Sequence, residues 1–167
     1  MALDHVTRNW ILACPPLFLL HEAEEYRTML PWIAKHESLV PHVVKSIVPH
    51  DPAFIAYAGA IFLVLFVAVG IMASRSKPQS VPWLLLAILL TARLENAVLH
   101  TIESIVLMQY TPGFITAVIV VLPISFYLLR RLIRLDLVRL SWLPGIIAAG
   151  FIVQAVGIGA MLLLGSI

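Results

Sequence analysis

Residues 53–73 read AFIAYAGAIFLVLFVAVGIMA, a run without a charge, a histidine or a proline. At 1.5 Å per residue, a helix over that run covers about 30 Å, the thickness of the hydrocarbon core of a bilayer. Residues 113–129 and 144–164 are likewise apolar runs without a charge or a histidine, with Pro123 in the one and Pro144 at the start of the other. Residues 81–110 form a longer apolar segment, interrupted by Arg93, Glu95, Asn96, His100 and Glu103. The first segment is the least regular. Trp10 to Leu20 is apolar but too short to span, and His21-Glu22-Ala23-Glu24-Glu25-Tyr26-Arg27 follows with no turn residue. Carried on through Met29 and Leu30, a helix over 9–31 is long enough. Averaged hydropathy understates it because of the glutamates.

Composition agrees. Of the 167 residues 61 % are hydrophobic and 12 % charged, against about 45–50 % and about 25 % in a typical water-soluble domain. Lipid must therefore solvate much of the surface. The expectation is an all-α, polytopic membrane helix bundle, a single domain over 1–167 with about five transmembrane helices. The one cysteine, Cys14, excludes an intrachain disulfide. Ile11-Leu12-Ala13-Cys14 imitates a lipoprotein cleavage site, but only Trp10 separates it from the polar start, so no apolar region precedes the cysteine.

Between the first two spans, residues 32–51 form an interfacial connection punctuated by Pro41 and Pro49, with Pro31 at its start. Leu39, Val43, Val44 and Ile47 make a short amphipathic face expected on the membrane surface. His36, His42 and His50 read as polar residues of that connection. Arg75 and Lys77 lie between spans two and three, and Arg130, Arg131, Arg134 and Arg139 between spans four and five. The positive-inside rule puts these loops in the cytoplasm, the N-terminus inside and the C-terminus outside. Arg27, Lys35 and Lys45 in the first connection run against this, offset there by Glu37 and Asp51. Trp32, Trp83, Tyr110 and Trp142 stand at span ends as interfacial anchors. Pro123 and Pro15-Pro16 are expected to kink their helices. Gly145, Gly150, Gly157 and Gly159 suit close helix packing, within the chain or in a homo-oligomer.

The chemistry concentrates in two matching patterns. His21-x-x-Glu24 and His100-x-x-Glu103 are separated by 79 positions, an offset that also aligns Ala13 with Ala92, Leu20 with Leu99 and Met29 with Met108. Residues three apart share a helix face, and imidazole with carboxylate on facing helices is how helical bundles hold metals. His21, Glu24, His100 and Glu103 are thus the expected metal ligands. Glu25 adds a carboxylate placed to act as general base. Asn96, one turn before His100, is placed to orient a ligand or substrate. A charge at the centre of a membrane helix costs roughly 2.5–3.5 kcal/mol, so two or three glutamates cost on the order of 5–10 kcal/mol by that scale. A metal, an ion pair such as Glu95 with Arg93, or a water-filled cavity would offset this.

His21-Glu22-Ala23-Glu24-Glu25 resembles the motif that names the HXXEE family of bacterial membrane proteins. Asn96-x-x-x-His100 and Thr111-Pro112-Gly113 are similar to its other recurring features. The resemblance covers most of spans one to four. It implies a membrane protein of unestablished function, and so supports the site without supplying a substrate.

Two functions fit these residues. The first is a membrane-embedded enzyme using a divalent metal (zinc, iron or manganese) on a lipid or other apolar small molecule, by hydrolysis or oxidation, or a metal-free isomerase moving a proton between carboxylates. The second is a small transporter, a proton- or ion-handling protein, or a lipid-binding protein. A site sealed from the cytoplasmic face but open to lipid favours the enzyme. Membrane lipid is the expected partner. No nucleic acid is expected, because the arginine cluster reads as an anchor at anionic headgroups.

Overall fold

The computed structural model describes residues 5–39 and 53–165. Among them are five long helices and no strand: α1 (His5–Lys35), α2 (Ala53–Ser74), α3 (Val81–Leu107), α4 (Phe114–Arg134) and α5 (Leu143–Gly165). Short 3-10 turns cover Glu37–Leu39 and Leu140–Trp142. Four segments are long and apolar enough to cross a membrane: Ala56–Ser74, Val81–Leu107, Phe114–Arg134 and Leu140–Gly157. The all-helical bundle expected from the sequence is the one observed.

Helix α1 is held by a stripe rather than by its average hydropathy. Its 31 residues rise about 46 Å, and Thr7, Ile11, Cys14, Phe18 and His21 are buried. These positions alternate in steps of four and three, the seam by which one helix packs along another. The seam meets a core built from Phe66 of α2, Trp83, Leu86 and Leu90 of α3, Leu128 and Leu132 of α4 and Ile146 of α5. Trp83, expected as an interfacial anchor, is only 1 % exposed and is the largest side chain in that core. One turn into α3, its ring fills the bundle instead of facing the headgroups.

The two ends of the bundle differ. At one end, Gln79 N–H donates to Leu137 O at 2.9 Å and Arg131 Nε donates to Thr7 Oγ1 at 2.6 Å. This end gathers Arg75, Lys77, Arg130, Arg131, Arg134 and Arg139. Helices α1 and α3 both leave it and run parallel, while α4 returns to it. At the other end α3 stops at Leu107, short of the expected Tyr110, because Met108 takes a left-handed conformation (φ 50°). The Met108 and Gln109 amides then cap the carbonyls of Ile105 and Ser104. Ser104 Oγ meets Thr111 Oγ1 at 2.6 Å, and Gly113 (φ +82°) starts α4.

Ahead of Pro123, residues Ala117–Val121 widen into a π turn, since the proline ring cannot approach the carbonyl four residues back. α1 continues through Pro15, Pro16 and Pro31. Of Gly145, Gly150, Gly157 and Gly159 on α5, only Gly150 sits against another helix. Gly145, Gly157 and Gly159 face open space. Most of the expected surface helix, with Val43, Val44, Ile47, His42 and His50, lies outside the described residues. Leu39 is exposed.

Ser38 follows α1 and Ser76 follows α2, at opposite ends. In sealed vesicles of one orientation, a membrane-impermeant maleimide should label Ser38→Cys or Ser76→Cys, but not both. The native Cys14 is fully buried and should stay silent. Full labelling of both before lysis would mean that the two ends share one side of the membrane.

Candidate functional site

On a helix, positions i+3 and i+4 lie on either side of i, by about 60° and about 40° at 3.6 residues per turn. That split separates the two glutamates following His21. Glu25, at i+4, turns toward α3. Glu24, at i+3, turns toward the start of α4.

Glu25 Oε1 stands 2.9 Å from His100 Nε2 and 3.9 Å from His21 Nε2. The two imidazole rings meet edge to face, with centroids 5.1 Å apart and planes at 74°. One donor atom from each of His21, Glu25 and His100 falls within 4.8 Å of the others. His21 is completely buried. His100 Nε2 is near Glu25 but out of line for a hydrogen bond, and neither of its ring nitrogens has a hydrogen-bond partner among the described residues.

Each imidazole turns its other nitrogen toward a carboxylate. His21 Nδ1 lies 2.9 Å from Thr116 Oγ1, whose hydroxyl donates to Glu24 Oε2 at 2.5 Å. His100 Nδ1 lies 3.8 Å from Glu103 Oε2. The repeated His-x-x-Glu pattern thus places Nε2 of each ring inward and its glutamate behind Nδ1. Since Thr116 spends its proton on Glu24, its lone pairs face a His21 Nδ1–H. Nε2 is directed to the shared space, 2.9 Å from Asn96 Oδ1, so Thr116 and Asn96 hold the ring from its two nitrogens.

Glu24, expected as a ligand, caps a helix instead. Its carboxylate accepts the Ile115 amide at 3.2 Å, the Thr116 amide at 2.8 Å and the Tyr110 hydroxyl at 2.8 Å. These two amides belong to the first turn of α4, which has no internal acceptor for them, and the helix dipole favours an anion there. Glu103, the other expected ligand, is 59 % exposed by its side chain and reaches only the outer edge of His100. Glu25, expected as a general base, lies between the two rings. Asn96 lies beside this cluster, with its Oδ1 2.9 Å from His21 Nε2.

Arg93, on the same stripe as Asn96, pairs not with Glu95 but with Glu22 Oε1 at 2.5 Å. Its guanidinium lies 3.8 Å from the Phe62 ring centroid. The pair joins α1 to α3 beside Gly59 of α2, where a Cβ would stand 2.9 Å from Glu22 Cγ. Glu95 faces the opposite way. His36 is far from the cluster, stacked on Trp32 with its Nδ1 on the Trp32 carbonyl.

Thr116 carries no signal in the sequence, being one hydroxyl among several near a helix start. Gly113 is legible only as part of a Thr-Pro-Gly turn. A Cβ there would lie 2.9 Å from His21 Cε1, 3.0 Å from Glu25 Cγ and 3.2 Å from His100 Cε1, and its φ is positive. The bare glycine therefore lets the start of α4 close against all three side chains.

Two stability outcomes separate these roles. Glu24→Ala should cost about 1.5–3 kcal/mol, the range for a charged hydrogen-bonding group lost with its partners left behind, and should lower the thermal midpoint in detergent. Glu103→Ala should leave that midpoint within the noise. Gly113→Ala should destabilise at least as much as Glu24→Ala, through backbone strain and crowding together. Equal effects of Glu24→Ala and Glu103→Ala would contradict the cap.

No curated protein and no solved structure matches the chain. The sequence profile described as "Protein of unknown function with HXXEE motif" matches residues 12–128, a stretch that holds His21, Glu25, Asn96, His100, Gly113 and Thr116. The chain belongs to the HXXEE family.

Proposed function

We propose that the protein is a membrane-embedded enzyme in which His21, Glu25 and His100 hold a divalent metal and act on a lipid or another apolar small molecule. The observation that carries this reading is the direction of the donors. Two imidazole Nε2 atoms and one carboxylate oxygen converge, while each Nδ1 is turned toward a carboxylate, directly or through Thr116. Metal-bound histidines are held as His21 is, with the far nitrogen tied to an oxygen that fixes the ring. Two histidines and one carboxylate form the set found around catalytic zinc and non-haem iron, where further positions stay open for water or substrate. A metal of this kind would activate water or oxygen. Asn96, which lies against His21, would orient the substrate.

An enzyme fits better than a carrier because the bundle narrows to apolar packing on one side of the site. Toward the arginine-rich end, Phe18, Cys14, Leu90, Leu86, Val121 and Leu128 are buried, and the polar residues buried with them are the hydroxyls Thr7, Thr91 and Ser125 and, on the side of α5, Glu95. On the outer side, Leu99, Ile102, Val106 and Ile115 are exposed around His100 and Glu103, which suits approach from the lipid phase. His100 is seven residues from the end of α3, roughly 10 Å along the helix axis, near the depth of ester and hydroxyl groups of lipids. The arginine-rich end would face the cytoplasm, placing the site in the outer leaflet of a bacterial inner membrane.

Elemental analysis of gently purified protein should find a stoichiometric divalent metal. His21→Ala, Glu25→Ala and His100→Ala should each lose it. Thr116→Val, which removes the hydroxyl behind Nδ1, should weaken binding about 10–100-fold, and His36→Ala should leave it unchanged. A wild-type protein that neither contains nor takes up zinc, iron or manganese would end the metal reading. The 2.9 Å contact of Glu25 with His100 would then favour the metal-free acid–base isomerase.

A further inference from the structure

Glu95 is the buried carboxyl that the His/Glu centre does not use. It lies near the middle of α3, on the side facing α5. The residue is only 8 % exposed, and neither oxygen has a hydrogen-bond partner among the described residues. The carboxyl fits into the space left by Gly150 of α5, where a Cβ would stand 2.8 Å from Glu95 Oε2 and 3.1 Å from the Ala92 nitrogen. One turn further along α5, also near mid-helix, the buried Oε1 of Gln154 is without a partner too.

The charges around it leave nothing to pair with an ionised form. Residues 143–165 contain no acidic, basic or histidine residue, and in 53–74 the sole titratable side chain is Tyr57. On α3 itself, Arg93 is committed to Glu22 and His100 to Glu25. The arginines of α4, Arg130, Arg131 and Arg134, lie at the far end of the bundle. A lone carboxylate in hydrocarbon is expensive, and a neutral carboxylic acid far less so. α5 is also the least covered of the helices, with Ile147, Phe151, Ile152 and Val156 exposed. Lipid-phase reagents thus lie one helix away.

We propose that Glu95 is a membrane-embedded, proton-carrying carboxyl, a proton-binding site separate from the His/Glu centre and open to modification by an apolar carbodiimide from the lipid phase. The acid O–H adds across one C=N bond of the carbodiimide. The carboxyl oxygen bonds to the central carbon and the proton moves to nitrogen, giving an O-acylisourea. Migration of the acyl group to nitrogen leaves a stable N-acylurea, with no group lost and no change of oxidation state. The deprotonated form cannot begin this sequence without a proton, so the rate should fall as pH rises.

The test is peptide mass mapping of the whole protein in lipid vesicles after exposure to dicyclohexylcarbodiimide. The expected result is one N-acylurea on Glu95, slower at higher pH, unaffected by sodium, and missing in Glu95→Gln. A water-soluble carbodiimide with an amine should instead modify the exposed Glu103. Because the adduct is mapped on the wild-type chain, the outcome does not depend on that variant folding. An unmodified Glu95 beside a modified Glu103 would overturn the proposal. Protection of Glu95 by sodium at constant pH would also overturn it, in favour of a metal-cation site.

Discussion

A polar side chain at membrane depth has no water to turn to, so it must be satisfied by another part of the protein. The contacts between α1, α3 and the start of α4 answer to that constraint. α1 and α3 each carry polar residues that lipid would reject, and the two helices run parallel, so the stripes meet at one depth. Glu25 bridges the two histidines, Asn96 reaches His21, and Glu22 takes Arg93 across the α1–α3 interface. The apolar seam below these contacts sets the register, since Thr7, Ile11, Cys14 and Phe18 deliver His21 to the core side of α1.

The start of α4 obeys the same constraint from the backbone side. The first amides of a helix have no internal acceptors, and here two of them fall beside the site rather than in water. Glu24 accepts both and also aligns Thr116, which in turn holds the His21 ring. One carboxylate therefore does two jobs: it closes a helix end inside the bundle, and it fixes which nitrogen of His21 faces the shared space. Gly113 makes the geometry attainable, because any side chain there would enter the volume filled by His21, Glu25 and His100.

The sequence made the helices legible because hydropathy and length decide them, and the depth of the two His-x-x-Glu patterns gave the location of the site. It did not separate Glu24 from Glu25. Adjacent residues on one helix differ by about 100° in direction, and which of the two faces a histidine depends on where α3 and α4 stand around α1. That is a tertiary fact with no local signature. Glu103 misleads for a related reason: its repeat partner Glu24 meets a helix start, whereas Glu103 meets the open side of the bundle. Arg93 is similar, since proximity in sequence suggested Glu95, but two positions along a helix point to nearly opposite sides. Trp83 reads as an anchor by position alone, and its burial follows from the packing of its neighbours.

The central claim is that His21, Glu25 and His100 form one coordination set, with Glu24 and Glu103 standing behind it. X-ray absorption at the zinc edge of protein loaded with zinc tests this most directly. The account predicts a first shell of nitrogen and oxygen at about 2.0–2.2 Å, with the outer scattering of two imidazoles. That imidazole scattering should drop to one in His21→Ala or His100→Ala protein reloaded with excess metal, and stay at two in Glu103→Ala. A first shell without imidazole scattering, or one unchanged when either histidine is removed, would contradict it.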